Sequence, residues 1–287
     1  MNALLTVDDL RVSFPGKGRR APRVRVLRGV SLAIAPGETL GLVGESGSGK
    51  TTIGRAILGL TPVESGTITF DGERLDHVTR ARRRRLARDL QVIFQDPYTS
   101  LNPSRTVGDT LSEPLLGQGL GGREARERVG GLLDRVHLPA GAARRLPREF
   151  SGGQRQRVAI ARALALGPRL IVCDEPVSAL DLTTQKTVLD LLLEIQEQTG
   201  VAYLFVSHDL AVVRFVSHRV AVIRQGEIVE SGPAARVTGA PGHPYTKALL
   251  LAAPVADVTA QRARRAAFEA DRRAHGATAQ ANSSAER

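Results

Sequence analysis

Gly44-Glu45-Ser46-Gly47-Ser48-Gly49-Lys50-Thr51 is the stretch that decides the fold of this chain. Two glycines with four residues between them, followed by Lys and then Thr, have the spacing of a phosphate-binding loop. The flanks agree. Glu38–Val43 has the apolar character of a short buried strand, and Thr52–Leu60 that of a helix. A loop between such elements aims successive backbone amides at an anion, and the helix N-terminus adds partial positive charge. Gly44, Gly47 and Gly49 allow backbone angles and close approaches that a side chain would block. Glu45, Ser46, Ser48 and Thr52 complete the expected nucleotide-binding set. Lys50 is expected to reach the outer phosphates, and the Thr51 hydroxyl to hold Mg²⁺. The loop by itself says nucleotide, and not what the nucleotide is for.

Working outward, 287 residues suffice for one large or two modest domains with a real core. Aromatic residues make up only 3% and Trp is absent, so that core must be built from Leu, Val, Ile and Ala. Cys173 is the single cysteine, which excludes an internal disulfide. Asp8, Asp9 and the lack of a long apolar run near the N-terminus argue against a signal peptide. No segment approaches the ~18 continuous apolar residues of a spanning helix, so any membrane role is expected to come through a partner. The net charge of +11 favours acidic partners, but the densest run, Arg80 to Arg88 with six arginines, has no interleaved aromatics. It reads as a solvated basic helix surface, and no nucleic-acid partner is expected.

Leu4–Phe14 and Val24–Ile34 are apolar, partly alternating runs around the basic loop Pro15–Pro22, and predict a β-rich beginning. Gly66–Phe70 is a further short strand ending in the Asp71-Gly72 turn, Thr79–Leu86 a helix, and Gln91–Phe94 a strand. From Thr106 to about Val136 the pattern is helical, broken at Gly117–Gly122, which predicts an inserted helical subdomain. Leu170–Cys173, Val201–Val206 and Arg219–Ile223 read as strands, with helices near Gln154–Ala165 and Thr183–Gln198. That alternation predicts an α/β fold with a largely parallel sheet. From about Arg262 the chain is rich in Ala, Arg and Ser, and its last ten or so residues are expected to be disordered. There is no internal repeat.

Further polar residues fall at the ends of these elements. Arg169–Asp174 is an apolar strand ending in a carboxylate, with Glu175 directly after. Asp174 suits a group that orients water on Mg²⁺. Glu175 is then placed to polarise a water for attack on a γ-phosphate. Ser151-Gly152-Gly153-Gln154 begins a helix and could form a second anion site, though alone it would be only a good N-cap. Gln95 follows the strand Gln91–Phe94, and His208 follows Val201–Val206.

Together these pieces resemble the ATP-binding subunit of ABC transporters, over about Leu4 to Pro254 and in the family's order. Gly44–Thr51 looks like the Walker A loop and Gln95 like the Q-loop glutamine, a further Mg²⁺ contact. Ser151–Gln154 looks like the signature motif. Ile171–Asp174 looks like Walker B, with Glu175 as catalytic carboxylate. Ser178–Asp181 looks like the D-loop, which brings in Asp181, and His208 looks like the switch histidine. Phe94–Pro103, Glu149–Arg157 and His243–Leu249 resemble the oligopeptide, dipeptide and nickel importer branch, and the Gln-Arg-Gln-Arg ending its second ATPase. The signature begins with Phe150 where Leu is commoner, and a lone Cys173 cannot build the iron–sulfur cluster of some members. Phe14 is the candidate for stacking on adenine, with an ordinary core Phe as the alternative.

The resemblance implies a P-loop NTPase ABC cassette over residues 1–254, with an antiparallel β subdomain, a mostly parallel core sheet and a helical subdomain at about 104–166. It implies an importer-type extension at 243–261 and a basic tail at 262–287. The implied activity is ATP hydrolysis by a head-to-tail pair with ATP and Mg²⁺. The implied partners are a second ATPase, two transmembrane permease subunits and an extracytoplasmic solute-binding protein, at the cytoplasmic face of the membrane. Two alternatives stay open: a soluble accessory ATPase of an enzyme complex, and an ATPase acting on nucleic acid or ribosomes.

Overall fold

The computed structural model describes residues 3–16, 18, 22–75, 78–96 and 101–252. Parts of the Pro15–Pro22 loop, of the Phe94–Pro103 run and of the 243–261 extension, and the whole 262–287 tail with its expected disorder, lie outside the described residues.

Two sheets carry the architecture. Strands β1 (Leu5–Phe14), β2 (Val24–Ile34), β4 (Ser65–Phe70) and β5 (Glu73–Arg74) form an antiparallel sheet in the order β2-β1-β4-β5. The other sheet holds β3 (Thr39–Val43), β6 (Leu90–Ile93), β7 (Leu170–Asp174), β8 (Ala202–Ser207), β9 (Arg219–Arg224) and β10 (Glu227–Pro233), in the order β10-β9-β3-β8-β7-β6. All its pairings are parallel except β9 with β10. The mostly parallel sheet is therefore as expected. The β9–β10 hairpin was not anticipated from sequence: Glu-Ile-Val-Glu-Ser-Gly-Pro lacks the continuous apolar run of a central strand, because β10 lies on the edge.

Burial explains why the central strands read as unbroken apolar runs. Leu170 and Val172 of β7, and Leu204 and Val206 of β8, belong to a core shared with the antiparallel sheet and with Ile53 and Ile57 of α1 (Lys50–Ile57). Their alternating neighbours Ile171, Cys173, Tyr203 and Phe205 join a second core with the helices of the opposite face. Both faces are covered, so no polar alternation survives. Burial also pushes the Cys173 thiol pKa up, which leaves it an inert apolar residue.

The helical block consists of α3 (Val107–Gly117), α4 (Gly122–Arg135) and α5 (Gly152–Leu164). Val107, Leu111 and Leu115 on α3 and Ala125, Val129, Leu132 and Leu133 on α4 recur at helical spacing and are buried together. Thr106 caps α3 by accepting from the Asp109 amide at 3.1 Å. The arginine run forms α2 (Arg80–Asp89), where Arg82 pairs with Glu73 and Arg83 donates to the Gly59 carbonyl. Helices α6 (Leu182–Thr199), α7 (Leu210–Val216), α8 (Ala234–Gly239) and α9 (Pro244–Ala252) complete the fold.

Candidate functional site

The parallel register brings one edge of the large sheet to a common level. Ile93 pairs with Cys173 and Asp174 with Val206, while Val43 pairs with both Ser207 and Val222. The carboxyl ends of β3, β6, β7 and β8 thus lie side by side, the edge where ligands of parallel α/β sheets bind. Gln95, two residues beyond Ile93, comes level with Glu175, two beyond Cys173. A cleft of about 630 Å³ opens there, lined by Val26, Ser46, Gly47, Gly49, Lys50, Thr51, Thr52, Gln95, Glu175 and His208.

The loop between β3 and α1 is wedged tightly at its base and exposed at its crest. A Cβ on Gly44 would fall 2.2 Å from the Ile223 carbonyl oxygen. Gly49 has φ +110°, and a Cβ there would fall 2.7 Å from a Leu27 methyl, so glycine is required on both counts. Glu45, Ser46 and Gly47 are exposed. Helix α1 starts with no side-chain cap and no acidic residue in its first turn, so its leading amides have no built-in anion. The Lys50 ammonium stands among the loop carbonyls, donating to Gly44 and Glu45, each at 2.8 Å. Burial lowers its pKa, opposed by Glu175, Asp174 and Glu45.

Across the cleft, the Thr51 hydroxyl donates to Asp174 Oδ1 at 3.0 Å. Burial raises the Asp174 pKa; the Thr51 bond opposes this, and the Glu175 charge adds to it. Glu175 has φ +49°, a region that non-glycine residues seldom occupy and that clusters at functional sites. Its amide donates to the Val206 carbonyl at 3.0 Å, and its carboxylate lies 3.2 Å from His208 Nδ1. Thr51, Asp174 and Gln95 offer only oxygen donors that suit a hard divalent ion. Among the described residues no cluster of three or more His, Cys, Asp or Glu could hold a metal by itself. These oxygens would suit a hard divalent ion such as Mg²⁺.

Ser151 to Gln154, Asp181 and Phe14 are not among the residues that line this cleft. Ser151 to Gln154 start α5 elsewhere, as a capping box: Ser151 Oγ accepts from the Gln154 amide at 3.3 Å, and Gln154 Oε1 from the Ser151 amide at 3.0 Å. Gly153 seats against α6, where a Cβ would meet the Thr184 methyl at 2.2 Å. Asp181 caps that helix, accepting from the Thr184 amide at 3.0 Å, and these bonds hold its pKa down. Phe14 is 38% exposed, so it is no core residue. It is absent from the cleft lining but pairs directly with Val24, which shares a strand face with the lining residue Val26. The sequence reading missed Val26, whose apolar side chain carries no chemical signal. It also missed Tyr245 on α9, whose hydroxyl accepts from the Glu45 amide at 3.2 Å.

Comparison with known proteins places the site in a family. The family model described as ABC transporter matches residues 27–178. Glutathione import ATP-binding protein GsiA of Escherichia coli O6:H1 is 51% identical over 273 residues, covering 93% of this chain and 44% of that protein. The chain thus spans about half the length of the curated relatives it matches. Among solved structures, CbiO1 of Clostridium perfringens, part of the ABC transporter complex CbiONQ, superposes with a TM-score of 0.74 at 27% identity, covering 83% of this chain and 91% of that one. The ATP-binding cassette MJ0796, as a dimer in a post-hydrolysis state bound to ADP and Pi, superposes with a TM-score of 0.72 at 30% identity, covering 80% and 98%.

Proposed function

The chain belongs to the ABC transporter family, and from that membership we propose that it binds and hydrolyses ATP to energise an importer of peptides or related small solutes. The observation that carries this reading is the convergence of Lys50, Thr51, Gln95, Glu175 and His208 on one cleft at the carboxyl edge of the parallel sheet. The amides of Ser46 to Gly49, with Lys50 and Thr52, hold the phosphates. Thr51, Gln95 and Asp174 would hold Mg²⁺, which when bound neutralises charge on the phosphate oxygens. Glu175 polarises the water that attacks the γ-phosphate, and His208 steadies that carboxylate from 3.2 Å. Phe14, at the outer end of β1, stacks on adenine.

Ser151 to Gln154 do not line the cleft that holds Lys50, and in this reading the Gly152 and Gly153 amides and the Ser151 hydroxyl serve a second ATPase. The working unit is then a head-to-tail pair with ATP between the two chains and Asp181 at the seam. ATP closes the pair, and hydrolysis with phosphate release reopens it. Residues 1–254 act as the ATPase unit, with 104–166 as its helical subdomain and 243–261 as an extension. Among the described residues no helix is long and apolar enough to cross a membrane. In this reading, attachment at the cytoplasmic face runs through two permease subunits, supplied by an extracytoplasmic solute-binding protein. Glutathione, named for the relatives, falls within the proposed cargo class. Nucleic acid has no place in this scheme.

The test is affinity purification of the tagged chain from detergent-solubilised membranes, with partners identified by mass spectrometry. Two multi-spanning proteins and a second ATPase are expected. Recovery of only soluble enzymes, ribosomes or nucleic acid would overturn the import reading and leave the ATPase chemistry standing.

A further inference from the structure

We propose that Tyr245 is a positioning residue for the phosphate-binding loop, and that helix α9 sets nucleotide affinity through its hydroxyl. The inference rests on the ATP-binding reading above and adds a residue to it. Tyr245 lies 200 positions from Glu45 in the chain, yet its hydroxyl accepts from the Glu45 amide at 3.2 Å. The same loop residue is gripped on its other side: the Glu45 carbonyl accepts from Lys50 Nζ at 2.8 Å. Glu45 therefore links the tyrosine hydroxyl to the ammonium that faces the cleft.

The tyrosine is itself held firmly. Its side chain is buried, and the Arg224 guanidinium lies over the ring at 5.0 Å from the centroid. Ahead of α9, the Glu230 carboxylate of β10 accepts from the amides of Gly242 at 2.7 Å and His243 at 3.2 Å. His243 Nδ1 in turn accepts from the Tyr245 amide at 3.1 Å. Glu230, His243 and Arg224 so position Tyr245. The other ties on the loop are backbone contacts from the β9–β10 hairpin: the seat of Gly44 on Ile223, and the Gly226 amide donating to the Ser48 carbonyl at 3.0 Å. The tie to Tyr245 is made by a side chain of α9, 200 positions along the chain. The role of the bond is to order Glu45 and Lys50 and so reduce the entropic cost of binding.

Tyr245→Phe removes the hydroxyl and keeps the ring against Arg224. In the full chain, the Kd for a fluorescent ATP analogue and the KM for ATP should rise together by about two- to tenfold, the range for one neutral hydrogen bond. The kcat and the melting temperature without nucleotide should stay near wild type. A role in packing alone, which the retained ring preserves, would leave Kd and KM untouched. Unchanged Kd and KM overturn the proposal, whatever the melting temperature does. Lys50→Ala separates the two readings. If it loses nucleotide while Tyr245→Phe binds like wild type, only the positioning role fails. If Lys50→Ala binds as well as wild type, the nucleotide reading of the loop fails and this inference with it.

Discussion

Substituting Gly44 by alanine tests whether the loop is held by its steric seat. The new Cβ would lie 2.2 Å from the Ile223 carbonyl oxygen and 3.0 Å from both Ile223 Cγ2 and Ser48 Oγ, where real Cβ contacts do not come closer than 3.0 Å. Something must retreat by about 0.8 Å. Ile223 is fully buried and paired with Ile228 in the β9–β10 hairpin, so the loop moves and not the strand. Forcing an extra carbon into such a site costs about 1–3 kcal/mol. For a domain of this size that corresponds to a melting temperature lower by roughly 2–10 °C. A loop shifted by nearly 1 Å also misplaces the amides and Lys50, for which a loss of about 10²-fold in turnover is the scale. The partner experiment is Gly47→Ala. Gly47 has φ +78° and no atom within 4 Å of a Cβ, so only the left-handed backbone cost of about 1 kcal/mol applies. Thermal melting and equilibrium nucleotide binding on both variants give the answer. If Gly44→Ala melts and binds like wild type, or Gly47→Ala is the less stable of the two, the seat against Ile223 does not hold the loop.

Glu175→Gln should keep ATP binding and lose steady-state hydrolysis by about 10²–10⁴-fold, the range for a positioned general base; normal turnover would remove Glu175 from that role. Asp174→Asn should raise the melting temperature of the nucleotide-free protein at neutral pH. The folded pKa of Asp174 is raised, chiefly by burial, so the native state binds more protons than the unfolded one across that window. Stability then falls as pH rises through it, and the gain from Asn should shrink as pH drops below the ordinary carboxylate range. A gain that does not change with pH would contradict that origin. Gly153→Ala should push α5 away from Thr184 and reduce hydrolysis while leaving nucleotide binding by the single chain within about twofold of wild type, since Gly153 is not among the cleft-lining residues. Loss of binding would place Gly153 in the chain's own nucleotide site.

What the sequence determined by itself is the local chemistry. Gly44 to Thr51, the apolar strand ending at Asp174 and Glu175, and the cap at Ser151 are each written in a few consecutive residues, because turn angles, capping and strand burial act over short range. The boundaries followed within a few residues: α1 begins at Lys50 and not Thr52, and β6 spans Leu90–Ile93 against an expected Gln91–Phe94. Helices α7, α8 and α9 and strand β5 are too short to stand out in the sequence, and strand β10 is hidden by its edge position. Tertiary structure alone decided which ends meet. Gln95 comes level with Glu175 only through the parallel register of β6 on β7, and His208 reaches Glu175 only through that of β7 on β8. The parting of Ser151 from the Lys50 cleft, and the hydroxyl of Tyr245 on the amide of Glu45, leave no periodic or spacing signal in the chain. Such contacts depend on how two buried sheet faces and an edge hairpin pack in three dimensions, and a one-dimensional pattern does not carry that information.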